Sequence, residues 1–121
     1  MGANMHKFRK LAVYRKALLL TKDVRSATTK FPRNEMFGLT SQFCRAADSV
    51  VLNLAEGAGN SSVKEFARFL NFSIRSGFEC LACCDIAVVN GYMQEQLHGA
   101  LYETINEIIA MLDGLKKSLF R

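Results

Sequence analysis

Hydrophobic positions recur along most of the chain at spacings of three and four, the period of an α-helix. Val13, Ala17, Leu20, Val24 and Ala27 mark the first such face and predict a helix over about 8–29. "KFPRNEMFG" interrupts it: Pro32 disfavours helix at Phe31, and Gly38 loosens the chain near the end of the break. A second helix is predicted over about 39–57, a third over 62–90 and a fourth over 94–119. Ser62-Val63-Lys64-Glu65 fits a capping box that opens the third helix after the loop "GAGNSS", and Asn90-Gly91 stops it. Short connections make sequential helices antiparallel neighbours. The expectation is an all-α, up-down-up-down antiparallel four-helix bundle forming a single domain over 1–121.

The faces differ from helix to helix. In the fourth, Leu97, Leu101, Ile105, Ile108, Leu112, Leu115 and Leu119 fall within about 80° at ~100° per residue, and Glu103, Asn106, Glu107, Asp113 and Lys117 lie away from them. In the third, Phe66, Phe69, Ser73, Gly77 and Cys84 make the predicted core face. The second helix is apolar nearly all round. Leu39, Phe43, Ala46, Val50 and Leu54 form its main face, while Cys44, Val51, Leu52 and Ala55 cover much of the back, where Asp48 is the only charge. Such a helix needs partners on two sides, and the pattern predicts that one of them is another subunit.

Between those two faces runs a polar stripe. Gln42, Arg45, Ser49, Asn53 and Glu56 also lie within about 80° of one another. Their spacing brings each within reach of the next. Buried polar groups must be hydrogen-bonded, internally or across an interface. A catalytic charge pair of Arg45 and Glu56 is the less favoured reading, because no nucleophile–base pair accompanies them and His6 and His98 lie elsewhere.

Charge changes the picture. The net charge is +5, but residues 1–33 hold nine Lys/Arg against Asp23 alone, while residues 34–121 hold seven basic and ten acidic side chains. The basic excess belongs to the first helix and its lead-in, through Lys7, Arg9, Lys10, Arg15, Lys16, Lys22 and Arg25 among others. It hints at a polyanionic partner. A second basic set, Lys64, Arg68 and Arg75, shares an arc of about 60° on the third helix with Asn71, flanked by Phe72 and Phe78. Cations interleaved with rings suit single-stranded nucleic acid. The competing reading gives the rings to a subunit interface and the cations to solvent.

Other chemistry is sparse. No apolar run approaches the ~18 residues of a membrane span. "MGANMHKFRK" lacks the apolar core of a secretory signal, and Gly2 is not followed by Ser or Thr at position 6, which is His6, as myristoylation would need. Three of the four cysteines crowd into residues 80–84, which is no disulfide framework and points to a reduced, cytoplasmic protein. Cys80, Cys83 and Cys84 read as small core residues rather than a zinc or redox site, since Cys44 and His98 are single and no second ligand pair exists. There is no phosphate-binding glycine loop. No cofactor and no metal are expected.

The stretch "FGLTSQFCRAADSVVLNLAEGAGNSSVKEFARFL" resembles the signature of the bacterial 23S ribosomal RNA intervening-sequence proteins. That pattern falls on Gly38-Leu39-Thr40, Gln42, Arg45-Ala46, Ser49, Asn53, Ala55, Glu56 and Gly57. "LAVYRKALLL", "FPRNE" with Pro32 and Glu35, and Ser76 with Glu79 resemble it too. The chain departs from it at Cys44, where the first of two arginines is usual, at Val51-Leu52 and at Arg75. The resemblance implies a four-helix bundle, a homo-oligomer with five copies preferred, and no catalytic activity. It also implies distant kinship with accessory proteins of diversity-generating retroelements, which act with a reverse transcriptase and its RNA. Two functions from different classes emerge: an oligomeric accessory protein that binds RNA or DNA, RNA more than DNA, or a scaffold that binds only protein.

Overall fold

The computed structural model describes residues 7–60 and 62–121. Gly2 and His6, on which the myristoylation reading turned, lie outside the described residues, as does Ser61 of the connecting loop. Four helices, α1 (Ala12–Thr28), α2 (Leu39–Ala58), α3 (Val63–Val89) and α4 (Glu95–Ser118), are accompanied by two 3-10 turns, Lys7–Lys10 and Arg33–Glu35. Each helix packs on two others, α1 on α2 and α4, and α3 on α2 and α4, while the diagonal pairs stay apart. This is the up-down bundle that the short connections predict.

The first helix begins later than its periodicity suggests. Lys7–Lys10 is a separate turn, and Leu11 beyond it is extended with ψ 132°, so α1 starts at Ala12 rather than Phe8. The Leu11 N–H closes that turn on the Phe8 carbonyl at 3.1 Å. The Phe8 ring meets Tyr14 edge-on, with centroids 5.1 Å apart. The turn touches α2 as well as α1. A continuous helix would carry Phe8 away from both.

Caps set the other boundaries. The Ser62 hydroxyl accepts the Glu65 N–H at 3.2 Å and opens α3. The capping box is only half made, because the Ser62 N–H goes to Asn60 Oδ1 and the Glu65 carboxylate to Arg68. Gly91, with φ 76°, ends α3 in a Schellman motif: the Tyr92 N–H reaches the Ala87 carbonyl at 2.8 Å and the Gly91 N–H reaches Val88 at 3.0 Å. Glu35 joins this turn to the α1–α2 connection. Its Oε1 accepts the Leu39 N–H at 3.1 Å, and its Oε2 accepts the Tyr92 hydroxyl at 2.8 Å. The backbone bond first, then the tyrosine, hold this carboxyl below its ordinary range.

Phe43, Leu20, Leu54, Leu70, Ile105, Ile108 and Leu112 fill the centre. The dry face of α4 holds in its middle and opens at its ends, where Leu97 is exposed and Leu115 and Leu119 are half-buried. On α3, Ser73, Gly77 and Cys84 are buried as expected, but Phe66 and Phe69 are only half-buried; Leu70, Cys80, Leu81, Cys83 and Ala87 complete the face instead.

The back of α2 is also resolved differently. Val51 is 8% exposed, Cys44 Sγ lies 3.6 Å from the Thr28 hydroxyl, and Asp48 takes Arg25, all within one chain. A helix in such a bundle has two neighbours, and α1 supplies the second side that the pattern assigned to another subunit. Leu52, at 64% exposure, is what remains outward. The back of α2 is thus covered in part within the chain, at Cys44 and Val51, and open at Leu52.

Gly57 sits where α2 meets α3. A Cβ there would lie 2.7 Å from Phe69 Cβ and 3.1 Å from Phe66 Cδ1. Gly57→Ala is therefore expected to destabilise the protein by ~1–3 kcal/mol through overpacking. Gly99→Ala, where a Cβ meets nothing within 4 Å, should stabilise α4 by ~0.5–1 kcal/mol. Urea unfolding measures both, and the same sign for the two variants would contradict this account of the α2–α3 contact.

Candidate nucleic-acid interface

An up-down bundle places the start of α1, the α2–α3 connection and the end of α4 at one end. Three basic segments remote in sequence thereby converge: Lys7, Arg9, Lys10 and Arg15; Lys64 and Arg68; and Lys116, Lys117 and Arg121. Glu56, Glu65 and Asp113 are the carboxylates nearest that end in the fold. Lys22 and Arg25 lie towards the opposite end, and Arg75 lies halfway along α3. The predicted basic residues are thus not one surface. Part of the first-helix set joins part of the third-helix set, and the end of α4 adds cations that the sequence reading did not single out.

Several of these charges are committed within the chain. Lys16 meets Glu107 of α4 at 2.8 Å. Arg25 grips Asp48 with two bonds of 2.8 Å, which hold that carboxyl below its ordinary range and raise the guanidinium's own affinity for its proton. Arg68 reaches Glu65 at 2.7 Å, and Lys117 reaches Asp113 at 2.9 Å. Exposed pairs like these contribute only ~0–1 kcal/mol each, but they cancel charge. Among the described residues, Lys7, Arg9, Lys10, Arg15, Lys22, Lys64 and Arg75 make no ion pair. On the outer face of α1, Arg15 and Lys22 are exposed beside Leu18 and Leu19.

The rings of α3 separate into two settings. The Arg68 guanidinium lies 5.0 Å from the Phe69 centroid and 5.2 Å from that of Phe72, and the two rings meet edge-on. Phe72 is therefore already engaged. Phe78 is 57% exposed and shares the outward face of α3 with Ile86 and Val89, nearer the opposite end. The cations and the free rings do not interleave; a basic half is followed by an apolar half. Phe120, just past α4, is the exposed ring at the basic end. The sequence signal for it was weak: it falls one residue after the Leu115–Leu119 face.

The polar stripe of α2 lies along the seam with α3 and is only partly buried. Gln42 Nε2 donates to Glu79 Oε2 at 2.7 Å. Asn53 Nδ2 donates to the Ser49 carbonyl and hydroxyl, both at 2.9 Å, and the Ser76 hydroxyl donates to that of Ser49 at 2.9 Å. Arg45 and Glu56 are exposed and unpaired with each other. Gln42, Arg45, Ala46, Ser49 and Glu79 line an open groove of about 450 Å³. The stripe therefore splits into a helix-joining set, Gln42–Glu79 and Asn53–Ser49–Ser76, and two outward charges. The Thr40 hydroxyl is buried without a partner among the described residues, and nothing in the structure accounts for it.

The cysteines are interior. Burial is the first cause that raises their thiol pKa values, Cys83 to about 11, Cys84 to about 12 and Cys80 further. Among the described residues, no group of three or more His, Cys, Asp or Glu is placed to hold a metal ion, and no helix is long and apolar enough to cross a membrane. His98 joins Asp85 at 2.9 Å and stacks on Tyr102, linking α3 to α4.

Compared with known proteins, residues 9–114 match the family model described as 23S rRNA-intervening sequence protein. Among solved structures, one similar chain is a protein of unknown function of the S23 ribosomal protein family from Bacteroides thetaiotaomicron, determined at 1.70 Å. It aligns with a TM-score of 0.79 and 19% identity, over 87% of this chain and 95% of that one, a likeness of fold. No curated protein matches the chain.

Thiolate is the reactive form of cysteine. In the native protein at neutral pH, Cys80, Cys83 and Cys84 should resist a disulfide reagent such as Ellman's, and only Cys44 should react at a measurable rate. All four should react at once in denaturant. Rapid native reaction of three or more thiols would show that α3 does not bury them.

Proposed function

We propose that this chain, which belongs to the 23S rRNA-intervening sequence protein family, is a non-enzymatic, homo-oligomeric accessory protein that binds nucleic acid through the basic end of its bundle. The observation that carries the reading is the convergence of the α1 lead-in, the first turns of α3 and the end of α4. Charges that are diluted along the sequence share one end of the bundle, where Lys7, Arg9, Lys10, Arg15 and Lys64 make no ion pair among the described residues. Such a patch attracts a phosphate backbone and gains affinity by releasing its counterions. The family's name favours RNA over DNA; the geometry itself favours polyanions in general.

Assembly is supported by a different surface from α2. Phe78, Ile86 and Val89 leave an apolar stripe on the outward face of α3, and Leu52 adds to the exposed apolar surface on α2. Exposed apolar patches of this kind mark contact surfaces. Light scattering at micromolar concentration should give a multiple of 13.5 kDa, with five copies expected. Phe78→Ser combined with Ile86→Ser should lower that mass, and a monomeric parent would overturn the assembly part of the reading.

Binding is tested by reversing charge where no internal partner is lost. Lys10→Glu, Arg15→Glu and Lys64→Glu together should abolish retention of RNA at moderate salt and leave the oligomer mass unchanged. For the parent, log K should fall linearly with log salt, by roughly 0.7 per phosphate contact for single strands. Arg25 is spared because Arg25→Glu would set a second carboxylate against Asp48. Failure of the parent to retain single- or double-stranded RNA or DNA at low salt would leave the protein-binding scaffold as the better reading.

A further inference from the structure

At the basic end, α3 and the residues after α4 enclose an open groove of about 620 Å³, lined by Lys64, Glu65, Ala67, Arg68, Asn71 and Phe120. The Lys116 ammonium of α4 donates to Asn71 Oδ1, one of the lining residues, at 3.0 Å and so bridges the two helices at the groove. One wall carries Lys64 and Arg68 with the Glu65 carboxylate between them. Lys64 makes no ion pair among the described residues, whereas the Arg68 guanidinium is paired with the Glu65 carboxylate and lies against the Phe69 and Phe72 rings. The other wall is the Phe120 ring, 67% exposed.

A large ring left open to water has a hydrophobic face with no partner, and the unpaired Lys64 adds a positive charge to the same groove. We infer that this groove is a nucleobase-stacking site, with Phe120 as the platform and the unpaired Lys64 meeting a flanking phosphate, so that the ligand is single-stranded. A duplex keeps its bases stacked on one another and offers this ring no face, whereas an unpaired base has a π-face free for an aromatic side chain whatever its sequence. The inference rests on the nucleic-acid reading above and adds to it the form of the ligand and the residue that selects it.

The chain contains no tryptophan, so Phe120→Trp creates a single fluorescent probe in the groove. The full chain carrying this substitution is titrated at low salt with a single-stranded oligouridine, with an RNA duplex of equal length, and with inorganic polyphosphate, which has the charge and no bases. Retention of each is measured in parallel by filter binding. The expected result is strong quenching by the single strand and little by the duplex or polyphosphate, even where these are retained. Lys64→Glu in the same background should weaken the quenching titration. Phe120→Ala in the otherwise unaltered chain should lower single-strand affinity roughly tenfold or more and leave duplex affinity unchanged. Retention of the single strand without quenching, or equal quenching by polyphosphate, overturns the stacking site while leaving polyanion binding in place. Retention of none of the three overturns the nucleic-acid reading and this inference with it.

Discussion

The close contact between α2 and α3 governs the rest of the molecule. It is the most extensive of the helix pairings, and it is close at two small residues: Gly57 of α2, where a Cβ would lie 2.7 Å from Phe69 Cβ, and Ser73 of α3, which faces the α2 backbone. The Ser73 hydroxyl, fully buried, is satisfied by donating to the Val50 carbonyl at 2.7 Å. Small residues let the two backbones approach, and that approach positions everything carried on their outer sides. The stripe from Gln42 to Asn53 can meet Ser76 and Glu79 only because the seam is narrow. Cys80, Cys83 and Cys84 are small buried side chains of α3, and burial is what raises their thiol pKa values.

The helices were legible because a bundle writes its core as a three–four period, and the caps at Ser62 and Asn90-Gly91 are local chemistry that needs no tertiary context. The start of α1 was not legible, since Phe8 fits a helical pattern and its contact with Tyr14 exists only after the chain has turned. The back of α2 was misjudged for a geometric reason. A helical wheel displays apolar positions without saying how wide an arc two neighbouring helices cover, and α1 with α3 cover Val51 and Cys44 as well as Val50 and Leu54. Arg25 was legible as a cation but not as the partner of Asp48, because the two are joined across helices.

The candidate interface was legible only in fragments. Lys10, Lys64 and Lys117 stand in three separate stretches of sequence, and nothing local says that they share an end. Topology alone brings them together. The same topology separates Lys22 and Arg25 from that patch, although in the sequence they belong to the same basic run. Phe72 looked like a free ring because it neighbours cations on the wheel; Arg68 lies over it instead. Phe120 looked like nothing, since it falls outside the periodic face of α4.

The Glu35–Tyr92 bond gives the bundle a mechanical asymmetry. It links two turns at one end, between residues 57 positions apart, and the Phe31 and Tyr92 rings lie 5.7 Å apart beside it. At the other end no equivalent side-chain bond joins the α1 lead-in to the α2–α3 connection among the described residues, and Leu115 and Leu119 are only half-buried. Local opening is easiest where buried contact is least. Leu97 at the clasped end is open to water as well, and the Lys116–Asn71 bond ties α3 to α4 at the other, so the Glu35–Tyr92 clasp works on the two turns themselves: it ties the chain entering α2 to the chain leaving α3.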